Sequence, residues 1–258
     1  MKKDTKKPSF EDLYEKFLET QNLLEFIGGC RNLCLRLFPR PSEILPSDFW
    51  PVAKGGSYRS EELIAAYSLG LFPWGDDPLI CWYFPKVRAI FPLDRDLHIG
   101  RTLRKILRKR DFVIVADHNF PKVIHYCREL RKGKTWISEA LIRGYIRLHQ
   151  QGFAHSIEVY RAENLVAGIY GVSLGAAFFA ESMFHLESNM SKIALIALHH
   201  FLRKQEFCLF DIQTMERPSY KEALGAIAIT PGEYVSLLEA SFQRKGIYGS
   251  WQNIFTFP

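Results

Sequence analysis

The sequence predicts an α/β protein with a smaller N-terminal domain and a larger C-terminal domain. From Asp111 onward, the spacing of apolar residues alternates between that of strands and that of helices. Residues 46–110 are instead rich in Pro, Gly and Trp, which is typical of loops and short elements. The chain has 258 residues, 47% of them hydrophobic, which is enough for one large core or two small ones. We therefore expect an N-terminal extension (1–45), a small domain (46–110) and a larger domain (111–258).

The first 110 residues contain two predicted helices and one irregular segment. Phe10, Phe17 and the apolar residues between them are spaced to form one face of a helix in the extension. A second helix is predicted over 60–69, because Ser60 is followed by two glutamates in what would be the first turn. Residues 71–85 contain three prolines and two tryptophans, so we expect an ordered aromatic loop there.

The C-terminal part gives the clearest signals. N-cap residues predict where its helices begin, and short apolar or alternating segments predict its strands. The predicted N-caps are Asn119, Ser138, either Asn189 or Ser191, and Thr230. In chain order the predicted elements are a strand at 112–115, helices at 119–130 and 138–152, a hairpin of 156–160 and 165–172, a strand at 176–180 that leads into Glu181 and a loop, a helix ending near 204, a strand at 207–211 and a helix from 230.

This order of elements resembles that of the GCN5-related N-acetyltransferase fold. In that fold the central strands separate, and the acyl donor binds in the gap beside a strand-to-helix junction. The corresponding loop here, 181–189, reads ESMFHLESN and lacks the glycine-rich segment that would bind the pyrophosphate of coenzyme A. We therefore expect a different donor.

Charge is concentrated in one segment. The net charge of +6 is modest, but residues 101–110 read RTLRKILRKR, with six basic residues and no acidic one. Such a segment is either the solvated face of a helix or a binding site for phosphates.

Cysteine usage indicates a reducing compartment. The five cysteines are an odd number and follow no secretory leader, so a disulfide framework is not expected. Cys30 and Cys34 are spaced for one helix face, but no matching Cys or His pair follows at zinc-site spacing.

The uncharged segment 165–180 is too short for a membrane-spanning helix, and a buried hairpin explains it better. The sequence thus predicts no metal site, no membrane span and a cytoplasmic location.

Nine short motifs follow one another between residues 55 and 240: FPW (72–74), LHIGRTLRK (97–105), TWIS (135–138), GYIRLHQQGFAHSIEVY (144–160), LVAGIYGV (165–172), AESMF (180–184), SK (191–192), DIQ (211–213) and ALGA (223–226). In this order they resemble the leucyl/phenylalanyl-tRNA–protein transferases. Each motif alone is weak, but nine in the same order are hard to attribute to chance.

The resemblance implies a reaction and its partners. The α-amino group of a protein that begins with Arg or Lys would attack the ester of leucyl- or phenylalanyl-tRNA, with methionyl-tRNA as a further donor to test. An aminoacyl ester is already activated, so positioning can supply up to about 7–11 kcal/mol of the acceleration, and no cofactor is expected. The lengthened protein would be marked for degradation by the N-degron pathway. We expect the transferase to act as a monomer.

The resemblance also implies catalytic residues. Asp211 and Gln213 match the family's catalytic acid and amide, and on one strand, two positions apart, they would share a face. Gln213 would orient the attacking amine, because a neutral amide is too weak a base to take its proton. Asp211 would either hold Gln213 or relay the proton, and the alternative is a strand-end Asp that caps the next turn.

The donor and the tRNA would bind at two further sets of residues. Glu181 would meet the donor's α-amino group, the alternative being a buried Glu paired with a basic residue. The implied substrate-binding residues are Trp74, Trp136, Tyr145, Ile169, Glu181, Ser182 and Met183. The implied tRNA-binding residues are Arg101, Arg104, Lys105, Arg108, Lys109 and Arg110, which would contact phosphates.

Three positions depart from the family pattern and concern donor and acceptor preference. Tyr220 stands where a histidine is common, Ala223 where a serine is, and Leu198 where an aromatic pocket residue is. Two other functional classes stay open at this point. One is an acyl-coenzyme A-dependent N-acyltransferase of the same fold, and the other is a non-catalytic RNA-binding module.

Overall fold

The structure, a computed structural model, describes residues 7–48, 50–74, 79–131, 135–215 and 219–258. The chain forms two compact units, one ending at Phe84 and one beginning at Pro85. Residues 88–90 and 101–109, which the sequence grouped with the small domain, belong to the second unit. None of the described helices is both long enough and apolar enough to span a membrane.

The described residues form the following elements. The helices are α1 (Phe10–Thr20), α2 (Leu23–Leu33), α3 (Ser60–Ser68), α4 (Arg101–Lys109), α5 (Phe120–Glu129), α6 (Glu139–Gln150), α7 (Met190–Lys204), α8 (Tyr220–Ala223) and α9 (Pro231–Phe242). The strands are β1 (Ala53–Lys54), β2 (Phe72–Pro73), β3 (Cys81–Tyr83), β4 (Arg88–Ile90), β5 (Val113–Ala116), β6 (Ala154–Arg161), β7 (Asn164–Leu174), β8 (Ala177–His185), β9 (Leu209–Asp211) and β10 (Ile227–Ile229).

The first unit begins with a pair of helices. α1 starts at a capping box, in which Ser9 and Asp12 each bind the other's backbone N–H. Phe17 of α1 stacks on Phe26 of α2, with ring centroids 4.8 Å apart. The helix that the apolar spacing predicted in the N-terminal extension is thus confirmed.

The predicted aromatic loop contains two short strands. β2 and β3 pair antiparallel, with Pro73 opposite Trp82, and β3 also pairs with β1. Trp82 is fully buried, and its indole N–H donates to the Gly55 carbonyl over 2.9 Å. The prediction of a loop was wrong here because β2 is an edge strand, where a proline need not donate to a ladder. Residues 75–78 lie outside the described part of the chain.

The second unit is built on a seven-stranded sheet in the order β10-β4-β9-β8-β7-β6-β5. Neighbouring strands are antiparallel except β8 and β9, which are parallel and are connected through α7. The uncharged segment 165–180 lies within the antiparallel pair β7 and β8, so its interpretation as buried strands is confirmed.

Helices cover both faces of this sheet. Ile169 of β7 belongs to the apolar core beneath α7, together with Ile193 and Phe178. The next residue, Tyr170, points to the other face, because side chains alternate along a strand. There its ring makes edge contacts with Phe120 of α5 and with Tyr145 of α6, each at a centroid distance of 5.8 Å.

The helix starts of the second unit are confirmed, and one strand is longer than predicted. Asn119, Ser138 and Thr230 each accept a hydrogen bond from a backbone N–H in the first turn of their helices. β8 runs on to His185, through the segment that was expected to be a loop. That prediction was wrong because an extra residue interrupts the polar and apolar alternation inside the strand.

Candidate functional site

The pairing of the central strands β8 and β9 stops beside a β-bulge, because β9 ends there. They pair at three positions, Ala177–Phe179 with Leu209–Asp211, and β8 then continues alone on that side. Just beyond, β8 pairs with β7 through Ala180 and Ser182, so Glu181 between them is an extra residue. Bulges of this kind redirect a side chain. Glu181 is buried, two residues beyond Phe179, the last residue of β8 that pairs with β9.

Gln213 reaches Glu181 from the turn that follows β9. Its Nε2 donates to Oε1 of Glu181 over 2.9 Å. Gln213 lies two residues beyond the end of β9 and has a left-handed φ of 63°. Lys221 Nζ donates to the carbonyl of Thr214 at 3.1 Å and to that of Ile212 at 3.4 Å, so the backbone on both sides of Gln213 is held.

The expected shared strand face of Asp211 and Gln213 was wrong. β9 ends at Asp211, and the chain then turns, because the Gln213 N–H donates to Asp211 Oδ1 over 2.7 Å. A carboxylate that accepts from the backbone two residues ahead forms an Asx-turn. The structure therefore contains the alternative, a strand-end Asp that caps the next turn.

Asp211 is enclosed by two residues that the sequence did not single out. Arg88 of β4 makes a bidentate contact with the carboxylate, through Nε to Oδ1 at 3.1 Å and through Nη2 to Oδ2. Tyr234 of α9 donates its hydroxyl to Oδ2 over 2.9 Å and accepts from Arg88 Nη2 over 3.0 Å. The guanidinium also lies 4.3 Å from the centroid of the Tyr234 ring.

The protonation of this group follows from its contacts. Burial lowers the pKa of Arg88, but the Asp211 carboxylate outweighs that effect and the net pKa is raised, so Arg88 stays charged. Burial raises the pKa of Tyr234 well above its ordinary value, so its hydroxyl keeps the proton that it donates. Each oxygen of Asp211 accepts from two groups, and the residue is 0% exposed. Asp211 thus holds a turn, and it offers no exposed oxygen to a substrate.

One group of residues implied for the donor lies on β7 and β8, close in sequence to Glu181. Ile169 of β7 and Met183 of β8 are opposite each other in the strand register and pack against the core beneath α7. The Tyr220 hydroxyl, on α8, donates to Met183 Sδ at 3.7 Å. Lys192 Nζ lies 5.5 Å from the centroid of the Tyr220 ring. Burial raises the pKa of Tyr220 to about 12, so the residue that replaces the family histidine is a neutral donor.

A second group of implied residues lies on the opposite face of the sheet. Ser182 pairs with Tyr170 and accepts from Arg131 Nη2 over 2.8 Å. Tyr145 is fully buried against Tyr170. Because alternation along β7 and β8 separates these side chains from Ile169 and Met183, the implied residues do not form one continuous pocket.

The two implied tryptophans lie on other segments. Trp136 is half-buried in the segment before α6, directly after residues 132–134, which are outside the described part of the chain. Trp74 belongs to the first unit, where it follows β2. Its indole is 47% exposed, and its ring centroid lies 6.0 Å from that of Tyr83.

The six basic residues implied for tRNA binding are exposed on α4 and at its C-cap. Leu103 is the buried residue of this helix. Within the described residues, none of the six forms an ion pair with an acid. Arg101 stands in the first turn, where the helix dipole disfavours a cation, so an anion bound nearby would relieve an unfavourable arrangement. Five of the six basic residues line a groove of about 680 Å³ that begins at His98.

Comparisons with known proteins agree on one family. The family model for leucyl/phenylalanyl-tRNA protein transferase matches residues 90–239, and the model for the N-terminal domain of the same family matches residues 56–86. A leucyl/phenylalanyl-tRNA–protein transferase of Shewanella halifaxensis is 40% identical over 205 residues, which is 78% of this chain and 85% of that protein. A transferase of the same name from Maridesulfovibrio salexigens is 36% identical over 84% of this chain and 90% of its own length.

The chain belongs to the leucyl/phenylalanyl-tRNA–protein transferase family. Its second unit carries the longer of the two matches, which contains Glu181, Asp211, Gln213 and Tyr234. Arg88 lies between the two matched segments. The longer family match therefore includes the bulge at Glu181, the turn capped by Asp211 and one partner of that residue, Tyr234. The other partner, Arg88, lies just before this match.

Proposed function

We propose that the chain transfers Leu or Phe from aminoacyl-tRNA to the amino terminus of proteins that begin with Arg or Lys. The observation that carries this proposal is the hydrogen bond between Gln213 and Glu181, just beyond the last paired positions of β8 and β9. It joins the partly buried amide of Gln213 to the buried carboxylate of Glu181, two residues before a partly buried thioether, Met183. Aminolysis of an activated ester needs positioning more than a strong acid or base, and this arrangement suits that need.

Gln213 would orient the attacking amine through its side-chain oxygen. A carboxylate only accepts hydrogen bonds, so Glu181 fixes the amide with Nε2 toward itself and leaves Oε1 as the acceptor. The α-amino group of an acceptor has an ordinary pKa of about 7.7–8.0, so a sizeable fraction is neutral near pH 7.5. Its nitrogen attacks the ester carbonyl, the amide bond forms, the C–O bond to the ribose breaks, and one proton passes from nitrogen to the ribose oxygen.

Glu181 and Met183 would receive the aminoacyl group. The Glu181 carboxylate suits the α-ammonium group of the donor, while Ile169 and Met183 offer apolar surface for its side chain. Leu, Phe and Met are unbranched at Cβ, and an apolar wall close to Cβ discriminates against Val and Ile by about 1–3 kcal/mol per methyl-sized group.

The α4 helix would bind the tRNA backbone. Its exposed basic residues supply charge without sequence reading, which suits a protein that must accept more than one tRNA. The preference would then come from the esterified amino acid.

The fold of the second unit would be GCN5-related N-acetyltransferase-like. The parallel pair of β8 and β9, its crossover through α7 and the bulge at Glu181 support this relation. Coenzyme A is an unsuitable donor, because the turn before α7 is formed by Glu187, Ser188 and Asn189 rather than by glycines. The product would enter the N-degron pathway, and the transferase would work as a cytoplasmic monomer where charged tRNA is present.

The direct test is transfer from charged tRNA to a short peptide. Purified protein, radiolabelled leucyl-tRNA and a peptide beginning with Arg should give labelled peptide, and the same peptide with an acetylated amino terminus should give none. A peptide that differs only in beginning with Asp should stay unlabelled, because a subsite for Arg or Lys must be anionic. Equal labelling of the Arg and Asp peptides would overturn the acceptor assignment, and no labelling of the Arg peptide would overturn the function.

A further inference from the structure

We propose that Arg88 and Tyr234 are positioning residues for transfer, acting on Gln213 through Asp211. This inference rests on the proposed function of Gln213. The three residues of this group come from distant parts of the sequence: Arg88 lies on β4, Asp211 ends β9 and Tyr234 lies on α9. All three are at most 1% exposed, so none of them touches an incoming substrate directly.

The first step of the argument concerns how Asp211 is fixed. Arg88 approaches both carboxylate oxygens, and the Tyr234 hydroxyl donates to Oδ2 over 2.9 Å. Two planar groups, the guanidinium and the phenol ring stacked on it, thereby set the plane of the carboxylate. Oδ1 is then directed at the Gln213 N–H, which it meets over 2.7 Å.

The second step concerns why Gln213 needs such support. A left-handed φ of 63° is unfavourable for a residue with a side chain, and it persists only when surrounding contacts impose it. Asp211 holds the amide of Gln213, and the Ala89 N–H, next to Arg88, donates to the Gln213 carbonyl over 3.0 Å. The same strand that carries Arg88 therefore holds the other end of this residue.

The third step links the conformation to the chemistry. The direction of the Gln213 side chain is set by this backbone conformation and by its bond to Glu181 over 2.9 Å. Loss of the Tyr234 hydroxyl would remove one of the two donors to Oδ2, so Arg88 alone would hold the plane of the carboxylate and its orientation would be less restricted. The Gln213 oxygen would then sample directions that do not meet the attacking amine, so the rate would fall while the affinity for substrates stayed the same.

The primary variant is Tyr234→Phe, which keeps the ring over the guanidinium and removes one buried hydroxyl. Its kcat should fall about tenfold or more, as expected when a buried hydrogen bond to a charged group is removed. The KM values for leucyl-tRNA and for an Arg-initiated peptide should stay within about twofold of those of the unmodified protein.

The matched control is Tyr248→Phe. Tyr248 is partly buried, and its hydroxyl hydrogen-bonds the backbone of Gly175 and Gly246 rather than Asp211. This variant should lose stability in urea denaturation much as Tyr234→Phe does, but keep its kcat. An equal fall of kcat in both variants would assign a merely structural role to Tyr234 and overturn the proposal.

A double-mutant cycle tests whether the effect passes through Gln213. Tyr234→Phe should lower kcat strongly in the unmodified protein and by less than about twofold in a Gln213→Ala background, because residues that act as a unit are not additive. Arg88→Lys keeps the charge but cannot bind both carboxylate oxygens in the same way, and it should behave like Tyr234→Phe. Multiplicative losses in the cycle would overturn the inference. A parent protein without transfer activity would overturn the proposed function instead.

Discussion

A glutamine side chain is uncharged, so in the proposed transfer Gln213 would act only through the direction in which its amide points. That direction is fixed by contacts with a carboxylate at each end, since Asp211 binds its backbone N–H and Glu181 binds its side-chain nitrogen. The two carboxylates have different partners, because Asp211 accepts from Arg88 and Tyr234 whereas Glu181, which is also buried, accepts from the Gln213 side chain. Asp211 therefore holds the backbone of Gln213, and Glu181 holds its side chain.

At this residue scale, the first prediction concerns Asp211. Asp211→Ala leaves the guanidinium of Arg88 buried without its counter-charge, which should lower the free energy of unfolding by about 3–5 kcal/mol. Asp211→Asn keeps the shape but turns an amide N–H toward a donor, so kcat for peptide labelling should fall about a hundredfold or more while tRNA binding is unchanged. Urea denaturation and steady-state kinetics measure the two effects. Asp94→Asn is the control, because Asp94 pairs with Arg95 at the surface. Near-normal turnover of Asp211→Asn would contradict the requirement for Asp211 in transfer.

The second prediction concerns Met183 and the donor. Its thioether lies between Ile169 and the Tyr220 hydroxyl, so Met183→Ala should remove apolar surface without exposing a charge. We expect kcat/KM for leucyl- and phenylalanyl-tRNA to fall by the equivalent of about 1–3 kcal/mol, with peptide KM unchanged. A panel of aminoacyl-tRNAs with one Arg-initiated peptide gives the measurement, and Leu186→Ala, an exposed position just past β8, is the control. The assignment fails if isoleucyl-tRNA serves the unmodified protein as well as leucyl-tRNA does.

At the scale of elements, the sequence predicts well what is local and poorly what depends on neighbours. N-caps such as Asn119 and Thr230 were found because a side chain and an N–H three residues away make the same contact in any protein. The bulge at Glu181 was missed because an extra residue in one strand is defined by its register with the partner strand. For the same reason the sequence predicted a loop where β2 and β3 pair, because the prolines there are unusual in strands.

The candidate site was predicted in part for the same reason. Gln213 and Glu181 were found through the family resemblance, and they are in contact. Arg88 was missed, although one signal was present: it is a charged residue inside the apolar segment VRAIF, and a buried charge needs a partner. Its partner is 123 positions further along the chain, so no local pattern identifies it. Tyr145 and Ile169 lie on opposite faces of the sheet, and this separation becomes visible only once the helices are assigned to faces.

The third prediction belongs to α4. Arg104→Glu with Arg108→Glu changes the exposed side of the helix and leaves the buried Leu103 in place. KM for aminoacyl-tRNA should rise, and its salt dependence should become flatter by about 0.7–0.9 in log–log slope for each phosphate that the helix no longer neutralises. The control is Arg244→Glu with Lys245→Glu, which changes the same charge at exposed positions after α9. An unchanged salt slope in the α4 variant, or an equal change in the control, would place the tRNA elsewhere.

At the scale of the whole molecule, we expect the free energy of unfolding to depend on pH through a histidine in the core beneath α7. His199 lies in that helix and is buried, with Nε2 donating to the Pro92 carbonyl over 2.9 Å and the ring close to those of Phe91 and Phe210. Burial lowers the pKa of His199 below its ordinary value of 6.5. The folded protein therefore prefers the neutral ring, whereas the unfolded chain takes up a proton near pH 6.5.

The last prediction follows from that difference. A depressed histidine pKa contributes stability that is fully present above pH 6.5 and is lost as the pH falls from 6.5 through the folded pKa, because the unfolded state then binds more protons. Each unit of pKa difference corresponds to about 1.4 kcal/mol, so the urea midpoint of the unmodified protein should fall between pH 7.5 and pH 5.5. His199→Gln removes the titrating ring, so this variant should be less stable than the unmodified protein at pH 7.5, and the gap between the two should narrow at pH 5.5. His118→Gln, at an exposed position, should follow the unmodified protein at both pH values. A gap between the unmodified protein and His199→Gln that stays constant across this range would show that His199 titrates alike in the folded and unfolded states.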